Sequence, residues 1–444
     1  MKKIQLSDHF TYGKLLRFTL PSIVMMIFTS IYGIVDGIFV SNFAGKIPFT
    51  ALNLVWPLIM MVGSFGFMVG AGGTALISKT LGEGDREKAN EIFTLLNWLC
   101  IIGGAVLTAL ALIFLRPIVI WMGAEGEVLE NAVLYGNIVL PAATAYILQF
   151  AHQNFCVAAE KAGLSLWMTV ACGVCNIILD ALFVGVFRWG LAGAAVATAI
   201  SQYLGAIIAI VYFACPNSSL LRLGKCRFDG FALMRTFVNG SSELLNNISL
   251  NLVGMLYNIQ LLRYAGEDGV AAYGVIMYVN LIFLSIFIGY AIGTAPLIGF
   301  NFGAQNHSEQ KNIFRKSMVI LALSGFLMMV FGILLSRPLA MIFVGYDQTL
   351  LDMTVRAFVI YSVSFLPTGI NMYGSSMFTA LNNGLVSAVI SFVRTLVCQL
   401  AAVLLLPLIW ELDGIWWSVV AAEFAALLLT IFCFVKYRKR YHYI

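Results

Sequence analysis

Long apolar runs alternate with short polar connections along almost the whole chain. Twelve runs are long enough to cross a hydrocarbon core as helices. They lie at about 15–41, 50–76, 92–115, 130–156, 163–187, 191–213, 233–262, 271–300, 313–335, 354–379, 385–408 and 414–435. They are too long for outer-membrane strands, which alternate over about ten residues. The pattern predicts an all-α polytopic membrane protein. The longest polar connection, Asn217 to Asp229, joins spans six and seven. It divides the chain into a first lobe (1–216), a cytoplasmic linker (217–232) and a second lobe (233–444).

Composition agrees: 61% of residues are hydrophobic and 11% charged, against about 25% charged in a soluble domain. The polar start, Met1 to Phe10, lacks the apolar core and small-residue cleavage site of a signal peptide. Span one is therefore expected to remain. The cysteines are scattered, and Cys172 and Cys175 have no second pair at metal spacing, so they read as small core packers. The formal charge of +5 is distributed by side. With a cytoplasmic N-terminus, 20 of the 26 basic residues fall on inner segments and span ends, Arg394 among them. The outer side keeps Lys46, Arg116, Arg188, Arg263, Arg337 and Arg356. This places both termini in the cytoplasm and the tail Lys436 to Arg440 against anionic headgroups. Nucleic acid is not the expected partner.

The sequence repeats after 221 residues. Ala44-Gly45 meets Ala265-Gly266, Gly72 meets Gly293, and Leu76-Ile77 meets Leu297-Ile298. Gly82 meets Gly303, Ile92-Phe93 meets Ile313-Phe314, and Arg116-Pro117 meets Arg337-Pro338. Gly163 meets Gly384 and Gly193 meets Gly414. Each copy holds an even number of spans, so the copies enter from the same side, with a pseudo-symmetry axis along the membrane normal. Two pseudo-symmetric six-helix lobes around a central cleft follow, the build of transporters that alternate access.

The candidate chemistry lies where the repeat fails. At this shift Asp36 faces Tyr257, Asp180 faces Ala401, Asn176 faces Val397 and Thr198 faces Val419. A carboxylate at membrane depth costs roughly 2.5–3.5 kcal/mol on insertion scales. A packing role shared by both lobes predicts matching residues, and a site needed once predicts this asymmetry. Asp36, Asp180 and Thr198 fall within one helical turn of depth. Asn176 shares a helix face with Asp180, and Tyr32 with Asp36. Such oxygens suit a hard cation, or two close carboxylates share a proton. The competing reading is a structural polar cluster joining three helices. Glu243, in the stripe Asn239 to Asn247 with Asn251 beyond, suits the cleft or a helix–helix hydrogen bond. Glu423 shows no polar companion in the sequence. Met25, Met26, Met60, Met61 and Met68, with Phe65, Phe67, Tyr146, Phe150 and Phe155, supply soft surface for core or cleft.

The order Pro21-Ser22, Asp36-Gly-Ile-Phe-Val40, Ala51-Leu-Asn53, Gly70-Ala-Gly-Gly-Thr-Ala-Leu-Ile-Ser-Lys-Thr-Leu-Gly-Glu-Gly84 and Asn176-Ile-Ile-Leu-Asp180, echoed by Gly293 to Ala304, resembles the multidrug and toxic compound extrusion (MATE) family. The likeness is nearest its MepA-like and DinF-like bacterial members. It implies efflux of bulky, often cationic compounds in exchange for sodium ions or protons, with no other cofactor. It implies a first-lobe cation site at Asp36, Asn176, Asp180 and Thr198, with Tyr32 and Ala194 beside it. Glu243 is similar to an acid that NorM-like members carry on span seven, but their acidic partner on span ten is absent from Asn371 to Thr379. The further expectations are drug-like substrates, surrounding lipid, a functional monomer and a bacterial plasma membrane. A lipid-linked oligosaccharide flippase of the same superfamily is the alternative, disfavoured by the near absence of basic residues within the spans. A channel predicts matching polar rings in both lobes. An enzyme is not expected, since His9, His152, His307 and His442 stand apart in sequence.

Overall fold

A computed structural model describes residues 4–40, 43 and 45–444. Lys2 and Lys3 of the charge count and Ala44 of the repeat lie outside the described residues, which form helices and no strand. Spans one to three are α1 (Tyr12–Phe39), α2 (Lys46–Gly82) and α3 (Arg86–Trp121). Span four is α4 (Gly126–Val139) and α5 (Ala143–Ala158), joined by a 3₁₀ turn at Pro141. Span five is α6 (Ala162–Asp180) continued by a π turn, Ala181–Val186, and span six is α7 (Gly190–Ala214). The helical stretch α8 (Gly230–Gly303) has 74 residues, which as one straight helix would reach about 110 Å at 1.5 Å per residue. No bilayer accommodates that as one crossing. Gly266, with φ 63° and ψ −150°, breaks it into spans seven and eight, a conformation that glycine adopts without a Cβ penalty. Span nine is α9 (His307–Val344), and span ten is α10 (Gln348–Ser362) and α11 (Phe365–Ala380), bent by 48°. Span eleven is α12 (Gly384–Phe392), a π turn (Val393–Cys398) and α13 (Gln399–Leu405); span twelve lies in α14 (Pro407–Tyr441), kinked at Glu411.

Among the described residues, with α8 divided at Gly266 and the bent pair counted as one span, twelve crossings stand where the apolar pattern placed them. Several helices outrun their predicted windows because their ends are polar and capped rather than apolar. Asp85 accepts the Lys88 amide at the start of α3, and Asn306 accepts the Glu309 amide at the start of α9.

These caps are 221 residues apart, and other features keep the same register. Left-handed residues pair as Gly45 with Gly266, Gly84 with Gln305 and Gly190 with Glu411. The exposed stripe Ile102, Val106, Leu110 and Ile113 on α3 recurs as Leu323, Leu327, Phe331 and Leu334 on α9. In a membrane that exposure faces lipid. In the hairpins of spans four and five the register slips by one: Glu160 matches Asn382, and the α6 cap Lys161 matches the α12 cap Asn383. Asp180 then faces Ala402 rather than Ala401, and Asn176 faces Cys398 rather than Val397. The asymmetry survives the correction.

The lobes meet closely at the end that carries both termini. A Cβ on Gly82 would collide with the Phe300 carbonyl, and one on Gly303 with the Lys79 carbonyl. These contacts are related by the repeat, as expected of helices crossing at a pseudo-two-fold axis. Asn382 Nδ2 donates to the Ala75 carbonyl at 3.1 Å. The segment before α1 bridges the lobes: Leu6 N donates to Glu160 Oε1 (2.8 Å) and Phe10 N to Glu309 Oε1 (2.9 Å). The histidines, apart in sequence, partly gather here. His9 Nδ1 lies 2.7 Å from Glu309 Oε2, and the His307 and His442 rings are 4.6 Å apart.

Gly82→Ala and Gly303→Ala should each destabilise the protein by about 1–3 kcal/mol through overpacking. Gly163→Ala, with nothing within 4 Å of its Cβ position, should be neutral or stabilising by up to ~1 kcal/mol. Thermal unfolding of the purified chain checks this. Equal stability of Gly82→Ala and Gly163→Ala would show that the lobes do not close on these glycines.

Candidate functional site in the first lobe

The first-lobe residues singled out in the sequence converge. Spans one, two, four, five and six enclose a small cavity of about 20 Å³, room for a water-sized occupant. Its walls include Tyr32, Asp36, Asn176 and Thr198. Asp180 is 0% exposed and lies behind the wall, its carboxyl group against that of Asp36. Ala194 is buried one turn before Thr198 and packs behind the cavity rather than lining it. Local structure sets these positions. Asp180 is the last residue of α6, where the helix widens into its π turn, a distortion common at functional positions. Gly173 lets α6 approach α1, since a Cβ there would meet the Phe28 and Tyr32 rings.

The hydrogen-bond inventory sets this site apart. Asp36 Oδ1, both oxygens of Asp180, Asn176 Nδ2, Thr198 Oγ1, Gln202 Oε1 and the Tyr135 hydroxyl are all buried without a hydrogen-bond partner among the described residues. Buried polar atoms are normally satisfied, and each lone one costs about 1–3 kcal/mol. Oxygen atoms predominate in the set, including both carboxyl groups, and it fits a hard monovalent cation or a shared proton. Sequence reasoning missed Tyr135, Gln149 and Gln202. Tyr135 lies beside Thr198 and within electrostatic reach of both carboxyl groups, while Gln149 and Gln202 line the cavity. Gln202 follows Thr198 by one turn and carried a signal in that spacing. Tyr135 and Gln149 lie on span four, and nothing local marks them. Cys172 lines the cavity; Tyr146 does too, whereas Phe155 packs into the His152 and Phe93 cluster.

The second lobe corrects two expectations. Glu423 has polar companions, and Arg394 is not at a span end. Arg394 is the eleventh residue of the 22-residue crossing Gly384–Leu405, near mid-membrane. Its Nε lies 2.9 and 3.1 Å from the two Glu423 oxygens. Asn371 Nδ2 donates to Glu423 Oε2 at 2.9 Å, and Thr430 Oγ1 donates to Asn371 Oδ1 at 3.0 Å. These side chains belong to spans ten, eleven and twelve, so a linear reading could not see them meet. The span-seven stripe divides. Asn239 bonds Asn382, Ser242 meets Thr379, and Asn247 and Asn251 bond their own helix. Glu243 is half-buried within electrostatic reach of Arg394.

A family model described as MatE matches residues 21–182 and 244–404, well over half of the chain. A Staphylococcus haemolyticus protein described as multidrug export protein MepA is 24% identical over 430 residues, covering 97% of this chain and 94% of its own length. A Staphylococcus aureus protein of the same description is 25% identical over 416 residues, covering 93% and 91%. Two solved structures superpose with 22% identity, 99% of this chain and 98% of theirs covered. They are a MATE protein in complex with MaL6, at a TM-score of 0.92, and an outward-facing multidrug resistance MATE transporter of the MOP superfamily, at 0.91. At that identity the structures establish the shared fold.

Asp180→Asn should raise stability by about 1–3 kcal/mol in sodium-free alkaline buffer, because it removes an unpaired buried carboxylate. It should also remove the stabilisation by added sodium. Unfolding of the purified chain checks both, and a less stable Asp180→Asn in sodium-free buffer would show that its oxygens are satisfied.

Proposed function

The chain belongs to the MatE family, and on that premise we propose that it is a secondary active multidrug efflux transporter. It exports bulky, often cationic organic compounds in exchange for sodium ions or protons. The carrying observation is the set of unpaired polar atoms around one first-lobe cavity. Asp36 and Asp180 hold the coupling ion, Asn176 and Thr198 complete its shell, and Tyr135 and Gln202 orient them. Loading relieves repulsion between the carboxylates and draws spans one, five and six together. An ion shifts a conformational equilibrium only by its differential affinity for the two states. The lobes closed at the terminal end must therefore bind it differently from the lobes opened there.

The protein works as a monomer in the bacterial plasma membrane, termini in the cytoplasm, with the lipid-facing stripes of α3 and α9 toward the acyl chains. The flippase reading is weaker: the basic residue inside the second lobe, Arg394, is already engaged by Glu423 and leaves little positive charge for a pyrophosphate.

In proteoliposomes with an imposed ion gradient, Asp36→Asn and Asp180→Asn should each lower efflux of a flat cationic dye by at least about tenfold, equivalent to 1.4 kcal/mol. Both should elute monodisperse. Glu243→Gln should lose less. Full gradient-driven efflux in both aspartate variants, with the sodium and proton gradients varied separately, would rule the site out.

A further inference from the structure

We infer that Arg394 is a tethered cation: its guanidinium fills, in the second lobe, the role that a mobile ion takes in the first, so the second lobe couples no ion of its own. This rests on the first-lobe reading given above. The argument starts from the repeat. At 221 residues Glu423 matches Gln202. At the 222-residue register of spans four and five, Asn371 matches Gln149 and Arg394 matches Cys172. All three first-lobe partners line the cavity. The Arg394, Glu423 and Asn371 cluster thus stands on the second lobe's copy of the cavity scaffold.

The two sites are opposites in satisfaction. The first-lobe carboxylates lack donors, with three of their oxygens buried and unpaired. The second-lobe carboxylate receives the Arg394 Nε on both oxygens and the Asn371 amide on one. The side chains of Arg394 and Glu423 are only 12% and 6% exposed. The π turns of the two spans stand at different registers, after Asp180 in span five and around Arg394 in span eleven. A guanidinium keeps its charge at any physiological pH, so this cation cannot be unloaded during a cycle. Tyr257 stands where Asp36 stands in the first lobe, and the other acid within electrostatic reach of Arg394 is the half-buried Glu243 of span seven.

The test uses the purified full chain with Asp36→Asn and Asp180→Asn, which leaves the first-lobe site without a carboxyl group, and with Glu243→Gln, which removes the acid within reach of Arg394, with and without Arg394→Ala. Thermal stability is read while sodium chloride replaces choline chloride, and again while pH is lowered in choline chloride. Arg394→Ala frees the Glu423 carboxylate, so sodium or acid should raise its midpoint by roughly 2–4 °C, a response absent from the parent and abolished by Glu423→Gln. A folded Arg394→Ala variant that responds like its parent would overturn the inference. Should Arg394→Ala not fold, the neutral pair Arg394→Gln with Glu423→Gln decides: its ions-per-drug ratio in proteoliposomes should equal that of the wild type, and a changed ratio would overturn the inference. A sodium response in the parent that lacks both first-lobe carboxyl groups would instead refute the first-lobe reading and leave the Arg394 comparison standing.

Discussion

Two carboxylates held against each other inside a hydrocarbon slab are the constraint on which this structure turns. Asp36 is 7% exposed and Asp180 fully buried. A single charge at that depth already costs several kcal/mol, and a like-charged neighbour adds to it. Protein scaffolds usually meet such a cost with donors, and here the donors are missing. The surrounding helices are held firmly, by close α1 to α6 packing at Gly173 and by the glycine contacts between α2 and α8. The lobe therefore keeps the carboxylates together without satisfying them, leaving the place that the proposed coupling ion or proton would fill.

The second lobe shows how the same scaffold behaves once the charge is settled internally. Breaking a buried ion pair by removing one partner typically costs about 3–5 kcal/mol, so the Arg394 and Glu423 pair is a fixed feature. One lobe holds unpaired carboxyl groups and the other a paired one, an asymmetry that a symmetric backbone repeat does not impose. Side chains set it, at a handful of positions on a shared frame.

Much of this was legible in the sequence. Hydrophobic run length fixes the number of crossings because the bilayer sets helix length, and the repeat was visible through glycines that the backbone needs, such as Gly45 and Gly266. Asp36 and Asp180 stood out because charge at depth is rare. What stayed hidden depends on contacts between spans. Glu423 looked solitary and Arg394 looked like a span-end residue, since nothing local ties span eleven to span twelve. The one-residue slip in spans four and five escaped an ungapped comparison. Tyr135 reaches the site because span four packs against spans two and six.

The central claim is that Asp36 and Asp180 themselves take up the coupling ion. Infrared difference spectroscopy of the purified protein, recorded on adding sodium or on acidification, reads carboxyl groups directly. The account predicts a carboxyl or carboxylate band change that disappears in Asp36→Asn and in Asp180→Asn and persists in Glu243→Gln. A band change that survives in both aspartate variants and vanishes in Glu243→Gln would contradict it.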